Sequence, residues 1–272
     1  VSATKNLVQL TDASLERGGR LLWQNLSLTI KPGEFIAVLG PNGGGKTSLL
    51  KVLLGLLPLS SGVVHIDSET PHRGNQQIGY IPQQKSFDSM LPIRGRDLVE
   101  LGLNGHHYGI LNGQRQATAT AVDKAIDAVG ASDYASMPIG LLSGGEQQRL
   151  RIAQALVGQP QLLLCDEPLL SLDLASQRTI TSLINDYRRE NDASVVFVTH
   201  EINPILPWVD KVLYMANGQW VADTPEHVLQ SKTLTRLYGT PVEVIRLKDR
   251  VIVVGAEESA LQGADAHHEE HA

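Results

Sequence analysis

An α/β fold is predicted by three features of the sequence. Short continuous apolar runs, Phe35 to Leu39, Leu162 to Cys165 and Val195 to Val198, have the length and composition of strands buried on both faces. Segments with helical spacing lie between them, so strands and helices interleave along the chain. A glycine-rich loop, Gly40 to Gly45, joins the first buried run to a helix.

The amino-terminal part reads as strands. Leu7, Leu10 and Leu15 are spaced by polar residues, Gly18-Gly19 marks a turn, and Leu22, Leu26, Leu28 and Ile30 continue in rough alternation. Lys31-Pro32-Gly33-Glu34 is a second turn. Beyond the glycine loop, Lys46 to Leu57 carries leucines at helical spacing. Short strands are expected at Val63 to Ile66 and Ile78 to Ile81. The stretch from Gln84 to Gly140 is mostly polar, with helical segments around Gly95 to Gly102 and Arg115 to Val129. It reads as an inserted helical subdomain.

A helix from Gly145 to Val157 ends at Gly158 and Pro160. A further helix spans about Ala175 to Arg189. Hairpins are expected at Lys211 to Met215 with Trp220 to Ala222, and at Val242 to Leu247 with Val251 to Val254. This organisation implies one large domain over residues 5–240, with a helical subdomain at about 84–157. A hairpin extension and a polar tail occupy 241–272. The tail is acidic and histidine-containing, a composition that favours disorder.

Composition narrows the function. Hydrophobic residues make up 42% and charged residues 19%, enough for a sizeable core. The formal net charge of -6 leaves no basic footprint, so no nucleic-acid partner is expected. Cys165 is the single cysteine, which excludes an intramolecular disulfide and fits a reducing compartment. Val1 to Leu10 lacks the basic-then-apolar pattern of a secretory signal. No run approaches the ~20 apolar residues that span a bilayer. A membrane role therefore requires a partner.

Gly40-Pro41-Asn42-Gly43-Gly44-Gly45-Lys46-Thr47 fits the phosphate-loop pattern, and Ser48 follows it. The flanking strand and helix are the context that the pattern needs. Glycines let the backbone curl so that N–H groups face phosphate oxygens, and the helix beginning at Lys46 adds its partial positive charge. Lys46 is expected to reach the β- and γ-phosphates of ATP, and Thr47 to ligate Mg²⁺.

The run Leu162 to Cys165 ends in Asp166-Glu167. A buried strand delivers such residues to the carboxyl edge of a sheet, where the phosphate loop also lies. Asp166 is the candidate Mg²⁺ carboxylate, and Glu167 the candidate base that polarises the attacking water.

Leu142-Ser143-Gly144-Gly145-Glu146 precedes a helix, and Gln147-Gln148-Arg149 continues it. Read physically, a serine hydroxyl and glycine N–H groups stand at a helix amino terminus, either as a simple cap or as a second anion site. The motif resembles the signature of ABC-family ATPases, between a phosphate loop and a carboxylate pair. The resemblance covers about Leu7 to Tyr238. It implies a RecA-like P-loop ATPase core with an antiparallel β subdomain and an inserted helical signature subdomain.

The resemblance also assigns roles. Gln83, in Tyr80-Ile81-Pro82-Gln83, is similar to the Q-loop glutamine that reaches Mg²⁺ and the attacking water. Ser171-Leu172-Asp173 is similar to the D-loop, and His200 to the H-loop histidine that contacts the γ-phosphate. Taken singly, Gln83 reads equally as a surface residue, Asp173 as a helix cap and His200 as a strand-end histidine. One position departs from the family, which usually places an aromatic residue before the early Gly-Gly turn to stack on adenine. Here that position is Arg17, whose guanidinium plane either stacks on the base or faces solvent.

The resemblance further implies a head-to-tail homodimer in which Ser143, Gly144 and Gly145 of one copy close over ATP held by the other. Integral membrane permease subunits, and through them a substrate-binding lipoprotein, are the implied partners. The chain is then peripheral to the cytoplasmic face of the cell membrane. Phe87 to Val99 and Leu237 to Val244 are similar to the corresponding stretches of importers of manganese, zinc or chelated iron. Iron-siderophore and cobalamin importers are the nearest alternatives, and a soluble ABC-type ATPase is a more distant one. His267, His268 and His271 are metal-binding residue types in a tail that reads mainly as a disordered polar end.

Overall fold

The computed structural model describes residues 6–83, 88, 91–104, 115–248 and 250–255. Strands β1 (Val8–Arg17), β2 (Arg20–Ile30) and β4 (Ser61–Ile66) form an antiparallel sheet in the order β2-β1-β4. A second sheet has six strands in the order β5-β6-β7-β3-β8-β9. It comprises β3 (Phe35–Leu39), β5 (Ile78–Ile81), β6 (Leu162–Asp166), β7 (Ser194–Val198), β8 (Lys211–Ala216) and β9 (Gln219–Asp223). The first five strands of that order run parallel, and β9 joins antiparallel through the turn at Asn217-Gly218.

The apolar runs of β3, β6 and β7 are continuous because both faces of this sheet are covered. Successive side chains point to opposite faces. Ile36, Val38, Leu162, Leu164, Val196 and Val198 pack with the antiparallel sheet and α1 (Lys46–Leu53). Phe35, Ala37, Leu163, Cys165, Val195 and Phe197 pack with the helices on the other side. These are α2 (Gly95–Asn104), α3 (Arg115–Ala128), α4 (Gly144–Leu156) and α5 (Leu174–Asn191).

Helix α1 is shorter than the leucine spacing predicts. It ends at Leu53 because Gly55 adopts a left-handed backbone, φ +66°, and Leu56 and Leu57 N–H groups fold back onto the Lys51 carbonyl. A Cβ at Gly55 would lie 2.6 Å from the His72 backbone, so the bend is fixed by close packing. Leu54 and Leu57 still bury against the core from outside the helix. The sequence reading also missed α6 (Pro225–Val228) and α7 (Ser231–Tyr238). Neither is long enough for a helical period to stand out.

Strands β10 (Val242–Leu247) and β11 (Arg250–Gly255) form a separate hairpin. Its β11 strand is tied to the segment after β7: Asn203 Nδ2 donates to the Val251 carbonyl at 3.0 Å, and Val251 N donates to Asn203 Oδ1 at 2.8 Å. The tail histidines, and Phe87, Ser89 and Met90, lie outside the described residues.

Candidate functional site

Strand order builds the site. In the parallel sheet β5, β6, β7 and β3 are consecutive neighbours, so their carboxyl ends meet at one edge. Gln83 follows β5, Asp166 ends β6 with Glu167 next, His200 follows β7, and the loop from Gly40 follows β3. An open cleft of about 870 Å³ runs along this edge. Gly40 to Gly43, Gly45 to Ser48, Gln83, Glu167 and His200 all line it. Arg17 reaches it from the end of β1.

The loop is held by packing that only glycine permits at two positions. Gly40 has φ +137°, and a Cβ there would stand 2.0 Å from the Met215 carbonyl oxygen. Gly45 has φ +93°, and its Cβ would stand 2.8 Å from the buried ring of Trp23. The Gly40→Ala protein is therefore expected to lose about 3 kcal/mol of stability, since backbone meets backbone and neither yields cheaply. Urea denaturation of the two proteins measures it, and equal midpoints would refute the close approach.

Lys46 opens α1 and is almost fully buried. Its ammonium bends over the loop and donates to the carbonyls of Gly40 at 2.7 Å and Pro41 at 2.9 Å. Burial lowers its pKa, while the nearby charges of Glu167 and Asp166 raise it. Thr47 Oγ1 donates to Asp166 Oδ1 at 3.1 Å, and the Tyr80 hydroxyl donates to Asp166 Oδ2 at 3.4 Å. Burial pushes the Asp166 carboxyl upward; the Thr47 hydrogen bond opposes this and the Glu167 charge adds to it. The Tyr80 phenol is pushed up to about 12, mainly by burial.

Glu167 sits in the left-handed region, φ +48°, with its N–H donating to the Val198 carbonyl at 3.0 Å. That backbone is costly for a residue with a Cβ, and such strain tends to collect at functional sites. It turns the carboxylate out of strand direction toward two partners. Gln83 Nε2 donates to Glu167 Oε2 at 3.2 Å, and His200 Nδ1 lies 3.8 Å from the same oxygen. Cys165, one residue before the acids, is fully buried with its thiol pushed well up, which makes it a packing residue.

Ser143, Gly144, Gly145, Glu146 and Asp173 do not line this cleft. Ser143 caps α4 in a reciprocal capping box: its N–H and hydroxyl donate to Glu146 Oε2 at 2.8 and 2.7 Å, and Glu146 N donates to Ser143 Oγ at 3.4 Å. These bonds hold the Glu146 carboxyl below its usual range. Asp173 caps α5, accepting from Ala175 N at 2.9 Å and Ser176 N at 3.0 Å. The two caps are close, since a Cβ on Gly145 would lie 3.3 Å from Ser176 Oγ. One copy of the chain thus carries two surfaces, a phosphate-loop cleft and a paired set of helix amino termini. Sequence reasoning missed Tyr80 beside Asp166, and Arg20, Leu22 and Leu170 in the cleft wall. The near-symmetrical Arg17-Gly18-Gly19-Arg20 turn was the available signal for Arg20.

A family model described as ABC transporter matches residues 23–170, more than half of the chain. The chain belongs to the ABC transporter ATP-binding family. The cassette is 32% identical over 251 residues to the manganese transport system ATP-binding protein MntB of Bacillus subtilis (strain 168), covering 92% of this chain and 99% of that protein. It is 35% identical over 234 residues to the uncharacterized ABC transporter ATP-binding protein YvrA of the same organism. That match covers 84% of this chain and spans about half of YvrA, 52%. Among solved structures, the cassette resembles a candidate metal-chelate type ABC transporter in an inward-facing conformation, at TM-score 0.78 and 27% identity over 94% of this chain and all of that one. It also resembles a dimeric ATP-binding cassette in a post-hydrolysis state bound to ADP and phosphate, at TM-score 0.66 and 26% identity over 80% and 98% of the two chains. ABC cassettes hydrolyse ATP, and this chain is an ATPase of that family. No helix among the described residues is long and apolar enough to cross a membrane.

Proposed function

We propose that the cassette is the ATP-hydrolysing subunit of an importer for a divalent metal ion, manganese or zinc. The observation that carries this reading is the match to MntB over nearly the whole length of both proteins, which takes in the segments beyond the shared ATPase core. The resemblance to a candidate metal-chelate type transporter favours a second reading, an importer of iron-siderophore or cobalamin type. In either case the cassette works at the cytoplasmic face of the membrane on permease subunits, which in turn receive cargo from a binding lipoprotein.

The cleft suits a magnesium nucleotide. The Thr47 hydroxyl, which lines it, and the buried Asp166 carboxylate behind Thr47 are hard oxygen donors held together, with the Gln83 amide also in the lining. Hard oxygen donors favour Mg²⁺ over softer ions. When bound, Mg²⁺ neutralises charge on the terminal phosphates. The chain's own groups do the rest. Lys46 exchanges its two loop carbonyls for β- and γ-phosphate oxygens, and loop N–H groups complete the cradle. Glu167 accepts a proton from the attacking water, held in aim by Gln83 and His200. Arg17 offers a guanidinium face to the base.

The half-site is completed by a second copy. Ser143, Gly144, Gly145 and Glu146 stand at a helix amino terminus that does not line the cleft of its own chain. In a head-to-tail dimer that terminus faces the γ-phosphate of the other copy, with Asp173 beside it, and supplies donors to the oxyanion. The dimeric state of a similar cassette supports this arrangement.

Deleting the gene is expected to reduce cellular manganese or zinc uptake about tenfold or more when the metal is scarce, with rescue by excess metal. Radiometal uptake measures it. Unchanged metal uptake with loss of siderophore or cobalamin uptake would favour the second reading, and no transport defect at all would sink both.

A further inference from the structure

Arg17 and Arg20 are directly opposite each other in the β1–β2 ladder, across a two-residue turn with Gly18 at φ +60° and Gly19 at φ +73°. Opposed residues share one face of a hairpin, and like charges placed so repel. Among the described residues no hydrogen bond or ion pair of either side chain offsets that repulsion, and both are exposed, so only solvent screens it. Both line the nucleotide cleft. Arg20 stands against the phosphate loop itself. A Cβ built on Gly43 would lie 3.6 Å from one of its terminal guanidinium nitrogens and 3.9 Å from the other.

Two unpaired cations facing each other at the mouth of a phosphate cradle form a site for a polyanion. We propose that Arg20 is a nucleotide-positioning residue whose guanidinium clamps the phosphate chain from outside the loop, opposite Lys46. This rests on the ATPase reading of the cleft and adds to it a contact that the phosphate-loop pattern does not contain. The planar fork of arginine suits two phosphate oxygens at once, which a lysine at the same position would not match. Trp23, whose ring packs on Gly45 of the loop, is fully buried and closed to a base. With only the exposed Arg17 guanidinium offered to the base, the phosphates carry much of the affinity, and Arg20 is a second cation for them besides Lys46.

The test is calorimetric titration of the full chain and its Arg20→Ala and Arg20→Lys variants with a non-hydrolysable ATP analogue and the matching GTP analogue, with Mg²⁺, at two salt concentrations. Arg20→Ala is expected to weaken both nucleotides about tenfold by the same factor, and to flatten the salt dependence of binding. Arg20→Lys should recover only part of the loss. The denaturation midpoint without nucleotide should not fall, because the side chain is exposed and its removal relieves the like-charge pair with Arg17. Unchanged affinity in Arg20→Ala would overturn the inference alone. So would a loss confined to the ATP analogue, which would make Arg20 a base contact. Failure of the wild-type chain to bind either nucleotide would overturn both this inference and the ATPase reading beneath it.

Discussion

Replacing Glu167 by glutamine is expected to cut steady-state ATP hydrolysis by about a thousandfold while ATP binding persists. The substitution is nearly isosteric and keeps the left-handed backbone at this position no worse than before. An amide oxygen at the place of Oε2 still accepts from Gln83 Nε2, so the local geometry survives. What disappears is the basic oxygen shared by Gln83 at 3.2 Å and His200 at 3.8 Å. In the proposed head-to-tail dimer, bound ATP then remains intact between the two copies. The variant should elute as a dimer with ATP and Mg²⁺ and as a monomer without them. Phosphate release and size-exclusion chromatography read the two halves of the expectation separately. Wild-type turnover would remove Glu167 as the base. Lost turnover without a trapped dimer would instead count against completion of the site by a second copy.

The parts of the site that are local along the chain are legible in the amino-acid sequence alone. The phosphate loop needs eight consecutive residues and its strand and helix flanks, all of which are contiguous. Asp166 and Glu167 end a run whose apolarity already declares a buried strand. Their meeting with Gln83 and His200 is a different matter. It depends on β5, β6, β7 and β3 lying side by side, an order that no periodicity encodes and that only the family resemblance implies. Arg20 is hidden for a related reason. It is an ordinary exposed arginine until the Gly18-Gly19 turn and the packing of Gly45 on Trp23 bring the first hairpin against the loop. The motif at Ser143 is ambiguous in sequence and revealing in the fold. It is a genuine capping box, and that bonding gives α4 a rigid amino terminus, where the helix's partial positive charge is concentrated. A cap and an anion site are therefore compatible uses of one helix end.

Replacing Lys46 by methionine is expected to weaken ATP binding about a hundredfold, with little change in the stability of the nucleotide-free protein. Methionine keeps much of the aliphatic stem that fills the start of α1, so packing is largely retained. Burial of the ammonium costs desolvation and drives its pKa down, and the nearby Glu167 and Asp166 charges offset only part of that, while two loop carbonyls accept its hydrogen bonds. Removing it from the nucleotide-free protein therefore removes a desolvation penalty along with the hydrogen bonds. The balance is different with nucleotide bound. Several phosphate negative charges enter a cleft lined by Glu167, with the buried Asp166 carboxylate next to Thr47 in its wall, and Lys46 is the buried cation that lines it. Its loss then leaves like charges facing one another in a partly dehydrated space. Calorimetric titration with ATP and Mg²⁺ measures the affinity, and urea denaturation without nucleotide measures the stability. Undiminished affinity would mean that the loop N–H groups and the exposed arginines carry the phosphates unaided. A large loss of stability would mean that the lysine is held in the loop for the fold, with nucleotide binding a secondary use of its charge.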